Sequence, residues 1–207
     1  MLRARILLAT LMLFALLAIT LSIPLSRAPA SSVTAQVCRS KLANTVFDSG
    51  LPFENRSLID YAHGVSVAIL VVETSNRPAF WRLFEEIMYN AAAHLSPRLR
   101  RMSVGPAQIS SDFFDRHIKP IAPDSVFPDA VMTLAGARET LTIWATAQLT
   151  VNHPNFSDAL TGEQQEILAG LFDTFHGARD ETYRAAALHV VSGRCLSDAK
   201  YRNRMNH

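Results

Sequence analysis

The sequence predicts an exported domain built mainly from α-helices, with little or no β-structure. The chain begins with a basic flank and a long apolar run, which is typical of a secretory signal or a membrane anchor. Several later segments carry apolar side chains at helical spacing, and no segment alternates apolar and polar residues as a half-buried strand does. We therefore expect a helical fold with at most a small hairpin.

The first 30 residues decide the compartment. Arg3 and Arg5 precede an apolar run over residues 6–25, about 20 residues and long enough to cross a bilayer as a helix. An Ala-x-Ala cleavage pattern follows at residues 28–30, so a cleaved signal peptide and a retained single-span anchor both remain open. In either case the basic flank stays in the cytoplasm, and we expect the rest in the periplasm or cell envelope, anchored to the inner membrane if uncleaved.

The charge balance argues against nucleic acid as a partner. The chain has 20 basic and 18 acidic residues, and the leader holds three Arg and no acid. Residues 31–207 therefore carry 17 basic and 18 acidic side chains, a formal charge of −1. The basic cluster Arg98, Arg100 and Arg101 is more typical of a solvated loop than of a contact with an anionic polymer.

Beyond the leader, the length suits one domain with a substantial core. We expect a tether and N-terminal segment over residues 31–56 and a helical domain over residues 57–207. Cys38 and Cys195 lie near the two ends of the exported part, and in an oxidising compartment they are expected to form a disulfide. The alternative is a cysteine nucleophile near His189, although no local signature surrounds either cysteine.

Two helical segments are expected in the first half of the domain. Residues 60–72 can form a helix, although the β-branched end of this segment leaves a strand open. Asn76, Arg77 and Pro78 resemble a capped helix start, and an amphipathic segment then runs to Leu95.

The sequence of the second half of the domain predicts four more helices. Ser110 to Asp112 could cap a short helix that buries Phe113, Phe114 and Ile118. A proline-rich loop follows, and Asp129 could begin one long helix through Leu149 with five residues inward: Val131, Leu134, Ala137, Leu141 and Trp144. Thr161 to Gln164 opens another helix that Gly177 ends, and residues 181–191 form the last one.

Common catalytic motifs are missing from the sequence. There is no His-Glu-x-x-His zinc pair, no phosphate-binding Gly-Lys-Ser/Thr loop and no Gly-x-Ser-x-Gly elbow. The seven histidines are scattered, and His63, His94 and His153 are more typical of surface or structural residues than of metal ligands.

Glu73 is the acid whose position suits catalysis best. It follows six apolar residues, Val67 to Val72, and burial raises the pKa of a carboxyl group by disfavouring its charged form. Such an acid can stay protonated near neutral pH and donate a proton. The alternative is a carboxylate exposed to solvent at a helix end. Glu85 and Glu86 are less suited, because they lie off the apolar face of the next helix.

A second motif gives this glutamate a context. The pair Glu73-Thr74-Ser75 and Ser103-Val104-Gly105-Pro106-Ala107-Gln108-Ile109 resembles the lytic transglycosylase and goose-type lysozyme family, in which a Glu-Ser motif precedes a Gly-Leu-Met-Gln-Ile turn. Pro106-Ala107 replace Leu-Met. The family's Tyr-Asn-x-Gly motif is absent, and its nearest counterpart is Phe175-His176-Gly177. The resemblance covers roughly residues 57–190.

The resemblance implies a lysozyme-like fold and cleavage of the peptidoglycan bond between N-acetylmuramic acid (MurNAc) and N-acetylglucosamine (GlcNAc). Glu73 would be the catalytic acid and then the base, with no metal and no organic cofactor. Six residues would bind substrate or support Glu73: Ser75, Ser103, Gly105, Gln108, Phe175 and His176. Family members need no second carboxylate, although Asp112 and Asp115 lie near the turn in sequence.

Two other classes of function remain open. The altered turn and the missing third motif favour an envelope-anchored protein that binds glycan or a partner without cleaving it. An unrelated helical envelope domain, with Glu73 as a surface acid, is the third possibility.

Overall fold

The computed structural model describes residues 37–38, 57–76, 87, 89, 103–153 and 162–195. Several expectations lie outside these residues: the N-terminal leader, most of the tether, the basic cluster at 98–101, His94, Glu85, Glu86 and most of the amphipathic segment over 78–95. The described part is mainly helical and contains no β-strand, as the sequence predicted.

The longest apolar helix forms the centre of the described fold. Helix α1 spans Leu58–Asn76, further in both directions than the segment expected from sequence. The segment that could have been a helix or a strand is therefore a helix. Its residues from Val65 to Val72 are all buried, so α1 is a core helix. By length and composition alone α1 could cross a membrane, yet most of it is enclosed by the other helices.

The turn over residues 103–110 leads into an unusual helix. A Ser110 side chain caps α2, Ser111–Phe113, by accepting a hydrogen bond from the Phe113 amide at 3.1 Å. A π-helix, Phe114–Ile118, continues directly from it, and its wider turn shows in the bond from the Lys119 amide to the Phe114 carbonyl at 2.9 Å. Phe113, Phe114 and Ile118 are buried, as expected.

The long helix predicted from Asp129 to Leu149 is interrupted. Helix α3, Asp129–Met132, ends at Thr133, which is extended and caps α4, Leu134–Asn152, by accepting from the Gly136 amide at 3.0 Å. A threonine at this position offers the backbone a cap that competes with helix continuation. The break rotates Leu134 out of the core, where it is 47% exposed, so its predicted inward position is wrong.

Two further helices complete the described chain. Helix α5, Gly162–His176, ends where Gly177 adopts a positive φ of 77°, and α6, Glu181–Val191, begins at an Asp180 cap. The end of α5 before Gly177 and the start of α6 at Glu181 agree with the sequence prediction. The α1 helix packs most extensively against α4 and next against α6, so the catalytic candidate at its end lies among these elements.

The predicted disulfide is formed. Cys38 and Cys195 are bonded across a sequence separation of 157 residues, with Cα atoms 5.0 Å apart. Closing a loop of that size stabilises the fold by roughly 4–5 kcal/mol in a chain-entropy description. Because both sulfurs are used in this bond, neither is a thiolate nucleophile in this state. A disulfide is also typical of oxidising compartments.

Candidate functional site

Glu73 occupies the last turn of α1, immediately after the buried run that ends at Val72. Its side chain is half-buried. The next residue, Thr74, turns its hydroxyl back along the helix and donates to the Leu70 carbonyl at 2.7 Å. Glu73 is therefore the first polar side chain to emerge from the core at this end of the helix.

The turn over residues 103–110 is closed by two backbone hydrogen bonds of 3.0 Å between Val104 and Ile109, which form an isolated antiparallel bridge. Gly105 has a φ of 74°, and a Cβ at this position would lie 2.0 Å from the Val131 carbonyl oxygen. Only glycine fits this combination of a left-handed backbone and a close approach by α3. The sequence motif thus contains a glycine for a local steric reason.

Gln108 is held in an uncommon conformation at this turn. Its φ is 53°, in the left-handed region that residues other than glycine rarely adopt. Its side-chain amide donates from Nε2 to the Gly105 carbonyl at 2.9 Å, and its Oε1 is buried without a hydrogen-bond partner. A buried acceptor of this kind is costly unless a donor reaches it. A ligand N–H or O–H group would be a suitable donor.

Glu73 and Gln108 line the same cavity, which has a volume of about 410 Å³ and lies within the size range of ligand sites. Ser103, Phe175 and His176 line it as well. Five of the seven residues that the sequence singled out for glycan chemistry are therefore brought together. The other two lie elsewhere: Ser75 is half-buried further along α1, and Gly105 forms the turn behind Gln108.

The C-terminal end of α5 provides one wall of the cavity. Phe175 packs edge-on against Phe113, with ring centroids 5.1 Å apart, and Phe113 packs in the same way on the buried Trp144 at 5.2 Å. These contacts join α5, α2 and α4 through aromatic rings, which adds rigidity beyond area burial. The wall that carries His176 is thereby fixed relative to the turn that carries Gln108.

Tyr183 on α6 is the residue that sequence reasoning missed. It is 5% exposed, and its enclosed hydroxyl lies close enough to the Glu73 carboxyl group to interact with it. Burial, and then the neighbouring Glu73 carboxylate, raise the pKa of Tyr183 well above its ordinary value. The phenol therefore remains protonated beside Glu73 and can donate to it. Its ring also stacks on His176, with centroids 4.8 Å apart.

A signal for Tyr183 was present in the sequence but pointed elsewhere. The family that the sequence resembles has a Tyr-Asn-x-Gly motif, and its nearest counterpart in this sequence is Phe175-His176-Gly177. Tyr183 lies one helix later, on the buried face of α6, and only the packing of α6 against α1 brings it to Glu73.

Positive charge enters the cavity from the π-helix. Arg116 and His117 both line it, and the His117 ring packs on Phe113 with centroids 4.8 Å apart. Burial and then the charge of Arg116 lower the pKa of His117, so its neutral form dominates near neutral pH. π-Helical turns occur frequently at functional sites.

Glu73 is the only carboxylate among the described residues that line the cavity. Asp112 and Asp115 are exposed and do not line the cavity. Within the described chain, one group of potential metal ligands lies close together: Cys38, Cys195 and His189. Since its two sulfurs form the disulfide, this group offers a metal only the imidazole.

Comparison with known proteins finds no family model, no curated protein and no solved structure that matches the chain.

Proposed function

We propose that this chain is an exported enzyme that cleaves the MurNAc–GlcNAc bond of peptidoglycan, on a lysozyme-like arrangement of helices. One observation carries the proposal. The Glu-containing motif and the Gly-to-Gln turn lie far apart in the sequence but meet at one cavity, with Glu73 as its only acid in the described lining. A half-buried carboxyl group beside ligand-sized space is suited to general acid catalysis.

The cavity also contains the groups that a sugar needs. The unpartnered Gln108 Oε1 can accept from a hydroxyl or an acetamido N–H, and the hydroxyls of Ser103 and Ser110 also line the space. The Phe175 ring offers an apolar surface to a sugar face. Pockets of this kind combine a few polar groups that orient the ligand with aromatic surface.

The mechanism follows from a single carboxyl group. Glu73 donates its proton to the bridging oxygen as the bond from that oxygen to the muramyl C1 breaks. The resulting carboxylate then takes the proton from the muramyl C6 hydroxyl as that oxygen bonds to C1, which yields a 1,6-anhydro product. With water as the attacking group, the product has a reducing end. Tyr183, protonated beside Glu73, positions the carboxyl group throughout.

Product analysis on purified peptidoglycan tests the proposal. Anhydromuramyl ends identify a lytic transglycosylase, and new reducing ends identify a lysozyme. Binding to intact sacculi and soluble strands without any product would overturn the enzyme and favour the second candidate, an envelope-anchored protein that binds or organises glycan. That candidate is favoured by the absence of the family's third motif.

A further inference from the structure

Arg116 is a cation that the proposed bond cleavage does not use. Its side chain is exposed at the mouth of the cavity, and its Nε donates to the Asp112 carbonyl at 3.0 Å. That bond orients the guanidinium group and leaves its two Nη groups for another partner. Among the ion pairs of the described residues, none involves Arg116.

The charge balance of the cavity favours an acidic ligand. Arg116 is always charged, whereas Glu73 must be protonated to act as an acid. In that working state the described lining carries one fixed positive charge and no negative one, because the lowered pKa of His117 keeps its ring neutral. A carboxylate on the substrate would neutralise the charge of Arg116 at short range.

We propose that Arg116 binds a carboxylate of the glycan substrate, with His117 beside it as a hydrogen-bonding partner. The inference rests on the proposed function and narrows its substrate class to acidic glycans. Peptidoglycan offers two sources of this chemistry. One is the lactyl carboxylate of muramic acid after its peptide has been removed, and the other is the set of carboxylates on an attached stem peptide. Chitin-type strands of GlcNAc alone carry neither.

The π-helix explains how this charge reaches the cavity. Phe113, Arg116 and His117 share one face, and Phe113 is fixed by its contacts with Trp144 and Phe175. His117 packs on Phe113, which holds the start of the π-helix against the cavity wall. The same segment sends Asp112 and Asp115 to the solvent, so the acidic side chains of this segment do not compete for Arg116 inside the cavity.

Equilibrium binding in a Glu73→Gln background tests the inference, because that change removes the proposed acid and keeps the strands intact during the measurement. The probes are strands of equal length: peptide-free MurNAc–GlcNAc strands, the same strands bearing stem peptides, and neutral chito-oligosaccharides. A fourth probe, peptide-free strands with methyl-esterified lactyl groups, isolates the lactyl carboxylate.

Arg116→Gln is expected to weaken binding of the carboxylate-bearing strands about tenfold, the effect of losing one charge-assisted hydrogen-bonded contact, and to leave chito-oligosaccharide binding unchanged. Added salt should reduce the difference in affinity between the proteins with and without the Arg116→Gln change. The matched control is Arg138→Gln, at an exposed arginine on α4 outside the cavity lining. It should change neither the binding of carboxylate-bearing strands nor that of chito-oligosaccharides. If Arg116→Gln weakens binding of peptide-free strands, and esterification of the lactyl groups weakens wild-type binding equally, the carboxylate that Arg116 binds is the lactyl group. Loss confined to peptide-bearing strands assigns the stem.

An equal loss on all four probes, or no loss on any, overturns the inference even where wild-type turnover and its dependence on Glu73 are intact. Failure of the proposed function has a different signature, which is the absence of wild-type product. A protein that binds none of the four probes overturns both.

Discussion

The phenol of Tyr183 is enclosed in the protein interior and faces the carboxyl group of Glu73, although the two residues lie on different helices and far apart in the chain. The contact joins the last turn of α1 to the first turn of α6. It places a permanently protonated donor next to the only acid in the described cavity lining. Because the phenol keeps its proton, it can donate to the Glu73 carboxyl group and hold its orientation.

Replacing Glu73 with glutamine is expected to lower peptidoglycan turnover by about 10²–10⁴-fold, the range typical of losing acid–base catalysis. Glycan binding should persist, because the amide keeps the shape and hydrogen-bonding capacity of the side chain. Turnover is followed by release of soluble muropeptides and binding by sedimentation with sacculi. Glu139→Gln, an exposed acid on α4, is the control. Wild-type turnover in the Glu73→Gln protein would refute the mechanism.

Tyr183→Phe removes one hydroxyl group and keeps the stacked ring. Because a donor beside a carboxylate favours its charged form, removing the donor should move the basic limb of the pH–rate profile to higher pH. The free energy of unfolding should fall only modestly, because a single hydroxyl group is lost and the ring keeps its packing against His176. A profile that keeps its position would show that Tyr183 does not act on Glu73.

Gly105→Ala tests the turn that carries Gln108. The new Cβ would meet the Val131 carbonyl and also occupy a left-handed backbone, so we expect at least about 2 kcal/mol of destabilisation in urea unfolding. Gly170→Ala is the matched control. That glycine is exposed on α5 with nothing near its added Cβ, and alanine there should stabilise the fold by roughly 0.5–1 kcal/mol. Equal effects at the two positions would contradict the steric account.

The stability of the fold should fall as the solution becomes mildly acidic, partly through His63 on α1. Burial, and then the positive charge of Arg138, lower the pKa of His63 below its ordinary 6.5, while Asp60 opposes them. Below about pH 6.5 the His63 ring is therefore protonated in the unfolded chain but still largely neutral in the folded one. The contribution of His63 to stability is complete above that pH and is lost as the pH falls below it.

Comparing urea unfolding at about pH 7.5 and pH 5.5 measures this loss, and His63→Gln should make it smaller. Arg138→Gln removes only the second cause and should produce an intermediate loss. A loss that is identical in the wild type and in His63→Gln would exclude this histidine as a source of the pH dependence.

Local sequence was sufficient for several features. The helical content, the Ser110 cap, the end of α5 at Gly177 and the bounds of α6 follow from capping residues and apolar spacing, which act within a few residues. The disulfide between Cys38 and Cys195 was predictable because a chain with two cysteines offers one intramolecular pairing. Glu73 was singled out because it follows an apolar run, and the Gln108 turn through its resemblance to a known family motif.

Tertiary structure decided the rest, because it depends on which helices pack together. The break at Thr133 turns Leu134 outward, which a helical pattern read across residues 129–149 cannot reveal. The approach of α3 to Gly105 and the meeting of Tyr183 with Glu73 are long-range contacts with no local signature. The π-helix is local, but its packing against Trp144 and Phe175 through Phe113 is not. The sequence by itself determined the helices and the candidate acid, whereas packing selected the residues that surround that acid.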